Sequence, residues 1–206
     1  MATKGYTDQS ISSLKGADRV RKRPAVIFGS DGLDGCQHAA FEIISNSIDE
    51  AREGHGNKII ITKYTDGSIE VQDFGRGAPV DYNQKEEQYN YVLLFVSLYA
   101  VGKYDTNSGG DYEYSIGLNG LGLASTQFSS EYMDVEIKRD GYKYNLHFEK
   151  GFNKGGLQKE EYSGRDTGTK IKCKPDIEVF TDINIQAFVA LVLDSFLESV
   201  RPLLRL

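Results

Sequence analysis

With 206 residues, the chain is long enough to bury a self-supporting apolar core without disulfides or a structural metal. Its net charge of -6 and pI near 5.2 exclude it as the part of a machine that grips nucleic acid, because duplex binding depends on lysine and arginine displacing counterions. Cys36 and Cys173 stand far apart with no C-x-x-C pair, which excludes a disulfide framework or zinc cluster, and the absence of a long apolar run or signal stretch predicts a cytoplasmic protein with no membrane partner.

Residues 1–24 are polar and end in Arg21-Lys22-Arg23-Pro24, so they read as an arm leading into a domain over residues 25–206. Between Gly35 and Gly54, the apolar residues Phe41, Ile44, Ile48 and Ala51 recur on one helical face, and Gly54 and Gly56 supply the stop. Lys58 to Tyr64 and Ser68 to Asp73 read as strands joined at Asp66-Gly67, a hairpin dipeptide. Residues 84–101 read as a second helix, apolar nearly all round and therefore buried. Residues 102–122 are glycine-rich and poor in aliphatic side chains, the composition of a long functional loop.

Tyr132 to Lys138 and Tyr142 to Glu149 alternate polar with apolar across Asp140-Gly141, a second hairpin, and Thr169 to Lys174 offers a further strand. A closing amphipathic helix is expected from Ile185, Phe188, Val192 and Phe196, capped by Asp182 or Asn184. The chain stops at Leu206 with apolar residues still running, which reads as a piece of something longer.

Three segments carry candidate chemistry. At about 100° per residue, Glu42, Asn46 and Asp49 fall within roughly 60° of one another, with His38 one turn earlier. Such a stripe alone reads more readily as the wet face of a surface helix, although asparagine is a poor mid-helix residue. In Val71-Gln72-Asp73-Phe74-Gly75-Arg76-Gly77-Ala78-Pro79 a carboxylate leaves a strand into a turn whose glycines let a ligand approach, so Asp73 can accept from an exocyclic amine such as that of adenine. A plain turn fits that stretch as well. Gly117-Leu118-Asn119-Gly120-Leu121-Gly122 runs into a helix start, where unpaired backbone N–H groups attract anions. Its G-x-x-G-x-G spacing is neither the dinucleotide fingerprint nor the Walker A sequence.

In this order, followed by Thr167-Gly168-Thr169, the set resembles the GHKL ATPase superfamily, which includes gyrase, heat-shock chaperones, histidine kinases and mismatch-repair MutL. Arg21-Lys22-Arg23-Pro24, Asn46-Ser47-Ile48-Asp49-Glu50-Ala51 and Asp73-Phe74-Gly75-Arg76-Gly77-Ala78-Pro79 are most similar to the B subunits of gyrase and topoisomerase IV. The resemblance runs from about Tyr6 to the end. It departs at Ala25-Val26-Ile27-Phe28-Gly29, where that branch usually reads Gly-Met-Tyr-Ile-Gly, and at Ile116 and Asn119 in the glycine loop.

The resemblance implies an α+β fold, the GHKL ATPase sandwich, with a mixed, mostly antiparallel sheet covered on one face by helices and a glycine-rich ATP lid. It implies ATP and Mg²⁺ as cofactors. Glu42 would be the general base for the attacking water, oriented by His38, and Asn46 the side-chain ligand of Mg²⁺. Asp73 would read the adenine amine directly and through a water shared with Thr167. Asp49, Gly75, Gly77 and Pro79 would complete the nucleotide pocket. Gly117, Leu118, Asn119, Gly120, Leu121 and Gly122 would wrap the phosphates, with Lys103 as a point charge and Tyr112 on the adenine side. Arg76 and Arg139 would stand at the rim, where ATP-competitive inhibitors such as aminocoumarins bind.

In the whole protein, the resemblance implies an A subunit and DNA as partners, ATP-dependent strand passage, and dimerisation through an N-terminal arm containing Tyr6 and Ile11. A following domain would supply a lysine to the γ-phosphate, so this chain is expected to bind ATP, turn it over feebly and be mostly monomeric. The competing expectations are a nucleotide-binding fragment without useful turnover and a GHKL ATPase serving mismatch repair or chaperoning.

Overall fold

The computed structural model describes residues 14, 16–98 and 121–184. The predicted closing helix and most of the glycine-rich loop lie outside the described residues. Among the described residues, three helices come first. Ala17–Arg21 (α1) is followed by Pro24–Phe28 (α2), which has proline at its first position and Gly29 at its end in the left-handed region, φ 79°. Leu33–Arg52 (α3) is the long helix predicted from the apolar spacing. Its buried face is wider than that spacing implied: Cys36, Ala39, Ala40, Ile43, Ile44 and Ile48 are all buried, whereas Phe41 is only half-buried.

Both predicted hairpins form. Ile59–Lys63 (β1) and Ile69–Asp73 (β2) pair antiparallel across Asp66-Gly67, where Gly67 takes φ 85° and Asp66 Oδ1 accepts Ser68 N at 3.0 Å. Ser130–Arg139 (β5) and Tyr142–Glu149 (β6) pair across Asp140-Gly141, whose φ values of 52° and 78° are the two left-handed residues that a tight hairpin needs. Gly168–Pro175 (β9) lies between β2 and β5. Two short strands on β6, Phe152–Asn153 (β7) and Gln158–Glu161 (β8), complete a sheet whose main path is β1-β2-β9-β5-β6-β7. Every pairing among the described residues is antiparallel, where a mixed sheet was allowed.

The register explains the layering. Val71 pairs with Ile171, Ile171 with Val135 and Val135 with Leu146; beside them runs Ile69–Cys173–Met133–Phe148. All eight side chains are buried, and α3 and Gly122–Phe128 (α5) pack against the sheet. The alternate residues form the charged columns Glu70–Lys172–Asp134–His147 and Gln72–Lys170–Glu136–Asn145 on the other face, as the two-residue period requires.

Two expectations are corrected. Residues 84–101 are not one helix: Tyr82–Asn83 (β3) and Gln88–Tyr89 (β4) make a small hairpin, and only Asn90–Phe95 (α4) is helical among the described residues. Polar side chains favour the turn, since Asn83 Oδ1 accepts the N–H groups of Lys85 and Glu86 at 3.0 and 3.3 Å. Of the described apolar residues in this stretch, Phe95 alone is fully buried.

Residues 17–24, read as part of the arm, fold against the domain. Val20 is buried, and Arg21 donates to Phe128 O at 3.1 Å and to Asp176 Oδ2 at 2.6 Å. Although burial opposes it, Arg21 and a bond from Glu178 N hold the Asp176 carboxyl below its ordinary range.

Candidate functional site

The predicted stripe on α3 faces two neighbours. At its N-terminal end His38 Nδ1 lies 3.2 Å from Phe28 O, and since a carbonyl only accepts, Nδ1 carries the hydrogen. The other nitrogen, Nε2, lies 3.2 Å from Glu42 Oε1, so a single proton on either group makes that bond. Burial pushes the Glu42 carboxyl above its ordinary range, and His38 partly offsets this. The other Glu42 oxygen rests against Gly122, the first residue of α5, where a Cβ would overlap it. Thr126 Oγ1 donates to Ala39 O at 2.7 Å and so ties α5 to α3 at this point.

One turn further, Asn46 Nδ2 donates to Glu42 O at 2.6 Å, which leaves the amide oxygen free to act as a hard ligand. Asp49 is 6% exposed, so this part of the stripe is buried rather than wet.

Asp73 ends β2 and is 8% exposed. Its Oδ1 accepts Gly75 N and Thr169 N at 3.1 and 3.0 Å, and its Oδ2 accepts Ser47 Oγ at 3.1 Å. Burial raises its carboxyl above the ordinary range, and these three bonds oppose that shift.

The turn after Asp73 is wedged from three sides. A Cβ at Gly75 would overlap the Glu50 side chain, one at Gly77 would lie 2.6 Å from Lys138 O, and one at Gly168 would overlap the Asp73 carbonyl. Gly77 takes φ 77° and Gly168 φ 142°, backbone that L side chains rarely adopt. Arg76 forms a two-pronged pair with Glu50 at 2.9 and 2.8 Å and reaches Glu53 at 2.5 Å. Glu50 is held below the ordinary carboxylate range by Arg76. Arg139 Nη1 donates to Gly77 O at 2.7 Å, closing the turn onto β5.

These elements enclose a cavity of about 680 Å³ whose walls include Asn46, Asp49, Asp73, Arg76, Gly77, Pro79 and Arg139. Glu42 and His38 lie beyond its wall, toward α5. A smaller concavity of about 390 Å³ sits on the charged face of the sheet, away from these residues. Lys103, Tyr112, Gly117, Leu118, Asn119 and Gly120 lie outside the described residues; Leu121 caps α5 and Gly122 opens it.

Thr167 is exposed and its hydroxyl donates to Gly75 O at 2.6 Å. Thr169, which follows Gly168, gives its backbone N–H to Asp73 Oδ1 at 3.0 Å, accepts Ala78 N on its hydroxyl at 3.0 Å and lines the cavity. Ser47, Ile43, Val71 and Ile171 also line the cavity and were not singled out from the sequence, because small and aliphatic residues carry no chemical signal.

The family model for the "Histidine kinase-, DNA gyrase B-, and HSP90-like ATPase" matches residues 32–179, which span the helix, the aspartate turn and α5. The chain belongs to this ATPase family. It is 38% identical over 175 residues to the B subunit of DNA topoisomerase 4 from Staphylococcus aureus (strain MW2), covering 85% of this chain and 26% of that protein. The same protein from strain Mu50 / ATCC 700699 matches equally. A solved structure, the topoisomerase IV ATP binding domain of Francisella tularensis in complex with a small-molecule inhibitor, aligns with TM-score 0.69 and 37% identity, covering 88% of this chain and 46% of that one. The chain thus spans 26% of the length of the curated relatives it matches.

Proposed function

We propose that this chain is the ATP-binding and ATP-hydrolysing domain of the B subunit of a type IIA DNA topoisomerase, either gyrase or topoisomerase IV. The observation that carries the proposal is Asp73, a buried carboxylate with one oxygen saturated by backbone donors and the other turned to Ser47, in the wall of a cavity that Ile43, Val71 and Ile171 also line. Such a group accepts from the amine of adenine, while Ile43, Val71 and Ile171 pack on the base. Arg76, Gly77, Pro79 and Arg139 form the rim, which ATP-competitive inhibitors would share.

Glu42 takes the proton of the attacking water, and His38 holds its Oε1. Raised by burial, the carboxyl is a stronger base than an exposed glutamate. The free oxygen of Asn46 suits Mg²⁺. No group of three or more His, Cys, Asp or Glu side chains able to hold a metal gathers among the described residues, so phosphate and water oxygens would complete the shell. When bound, the ion neutralises charge on the phosphates.

In the whole protein, this activity would drive DNA strand passage with an A subunit in the cytoplasm. Residues before α1, including Tyr6 and Ile11, would cross to a second copy when ATP binds. Replacing Glu42 with Gln is expected to lower ATP hydrolysis about 10²- to 10⁴-fold with nucleotide affinity nearly kept. Rapid turnover that survives the change, measured by phosphate release, overturns the assignment.

A further inference from the structure

The two oxygens of Asp73 have different surroundings. Oδ1 accepts from Gly75 N and Thr169 N, at 3.1 and 3.0 Å, which fills its acceptor positions. Oδ2 accepts from Ser47 Oγ at 3.1 Å and keeps one position open. Ser47 is 5% exposed, belongs to α3 and lines the same cavity.

We infer that Ser47 is the positioning residue that sets the purine selectivity of this site, its hydroxyl fixing Oδ2 as an acceptor so that a 6-amino purine is taken and a 6-oxo purine refused. The inference rests on the reading of Asp73 as the adenine acceptor. An ionised carboxylate that already receives three bonds has nothing to donate. The amine of adenine fits its open position, whereas the carbonyl of a 6-oxo purine would set acceptor against acceptor.

Ser47 is the only side-chain donor to Asp73 among the described residues. On α3, Glu50 acts on Asp73 with like charge, and Asp49 lines the cavity. Arg76 in the turn is committed to Glu50 and Glu53. β9 contributes the side chains of Thr169 and Ile171 to the cavity, and β1 pairs Ile59 with Asp73. Without the hydroxyl, Oδ2 is free to hold a proton and donate it to a 6-oxo group.

The test compares binding of ATP and of inosine triphosphate, which differ at the reading position, to the 206-residue chain with Mg²⁺ present. Ser47→Ala is expected to lower the ratio of ATP to inosine triphosphate affinity about ten-fold, the order of one hydrogen bond to an ionised acceptor, and Ser47→Thr to restore it. A merely structural serine would weaken both nucleotides alike and leave the ratio at its native value. Asp73→Asn separates the two readings. If that variant binds ATP as the native chain does, the adenine acceptor is misassigned; if it loses ATP while Ser47→Ala keeps the native ratio, the inference about Ser47 alone is overturned.

Discussion

Asp73 sits where its charge is unwelcome. Burial raises its folded-state pKa, so over the window from the ordinary value near 3.8 up to the raised one, the folded chain holds a proton that the unfolded chain has lost. Stability from this group therefore falls as pH rises through that window and stays lower at neutral pH. Asparagine removes the penalty and can keep the local bonds, its oxygen accepting from Gly75 N and Thr169 N while its amide donates to Ser47. Asp73→Asn is expected to melt at or above the native temperature near pH 7, with the gain shrinking toward pH 4, although it weakens ATP binding roughly ten- to hundred-fold. Thermal scans across pH check the first part; a native protein more stable than the variant at pH 7 contradicts it.

At this scale the sequence was legible where a residue's type announces its work. His38 lies against Glu42, Asn46 bonds the Glu42 carbonyl and lines one cavity with Asp73, whereas Ser47 and Thr169, which both bond Asp73, carried no signal. Residue types show two threonines around a glycine, but not that the backbone N–H of the second reaches Asp73 past Gly168 at φ 142°.

Among the elements, the turn after β2 depends on closeness of backbone. Gly168 on β9 touches the carbonyl of Asp73, and Thr169 beside it donates to the same residue's carboxylate. Gly168→Ala is expected to cost about 1–3 kcal/mol of stability, from the unfavourable φ and the displaced strand, and to weaken nucleotide binding in parallel. Urea midpoints and ATP-analogue binding read the two effects; a variant as stable as the native chain would deny the contact any role.

Hairpins at Asp66-Gly67 and Asp140-Gly141 were visible because their left-handed residues are chemically marked, and α3 because its apolar spacing is regular. The hairpin β3–β4 was hidden by the apolar run of Tyr91 to Val96 that follows it. Strand β8, Gln158–Glu161, has every residue exposed and no aliphatic side chain, so it shows no alternation to find. Charge on such an edge discourages pairing with another chain.

Over the whole molecule, the two layers meet along one apolar seam, α3 and α5 against the columns of β2, β9, β5 and β6. Cys36 lies in the first layer and Cys173 in the second; both are buried, and burial pushes each thiol up to about 12. Because only the thiolate is a nucleophile, neither sulfur should react with iodoacetamide at neutral pH while the seam stays closed. They are the only cysteines in the chain, so mass spectrometry resolves zero, one or two adducts without background. Labelling of both together is expected, at the rate at which the domain opens globally, and a saturating non-hydrolysable ATP analogue should slow both equally if it binds only the closed form. Single adducts at Cys173 would instead mean that the sheet frays while α3 holds. The chain thus carries a clock in each layer, and the order in which they start reports which side of the nucleotide cavity gives way first.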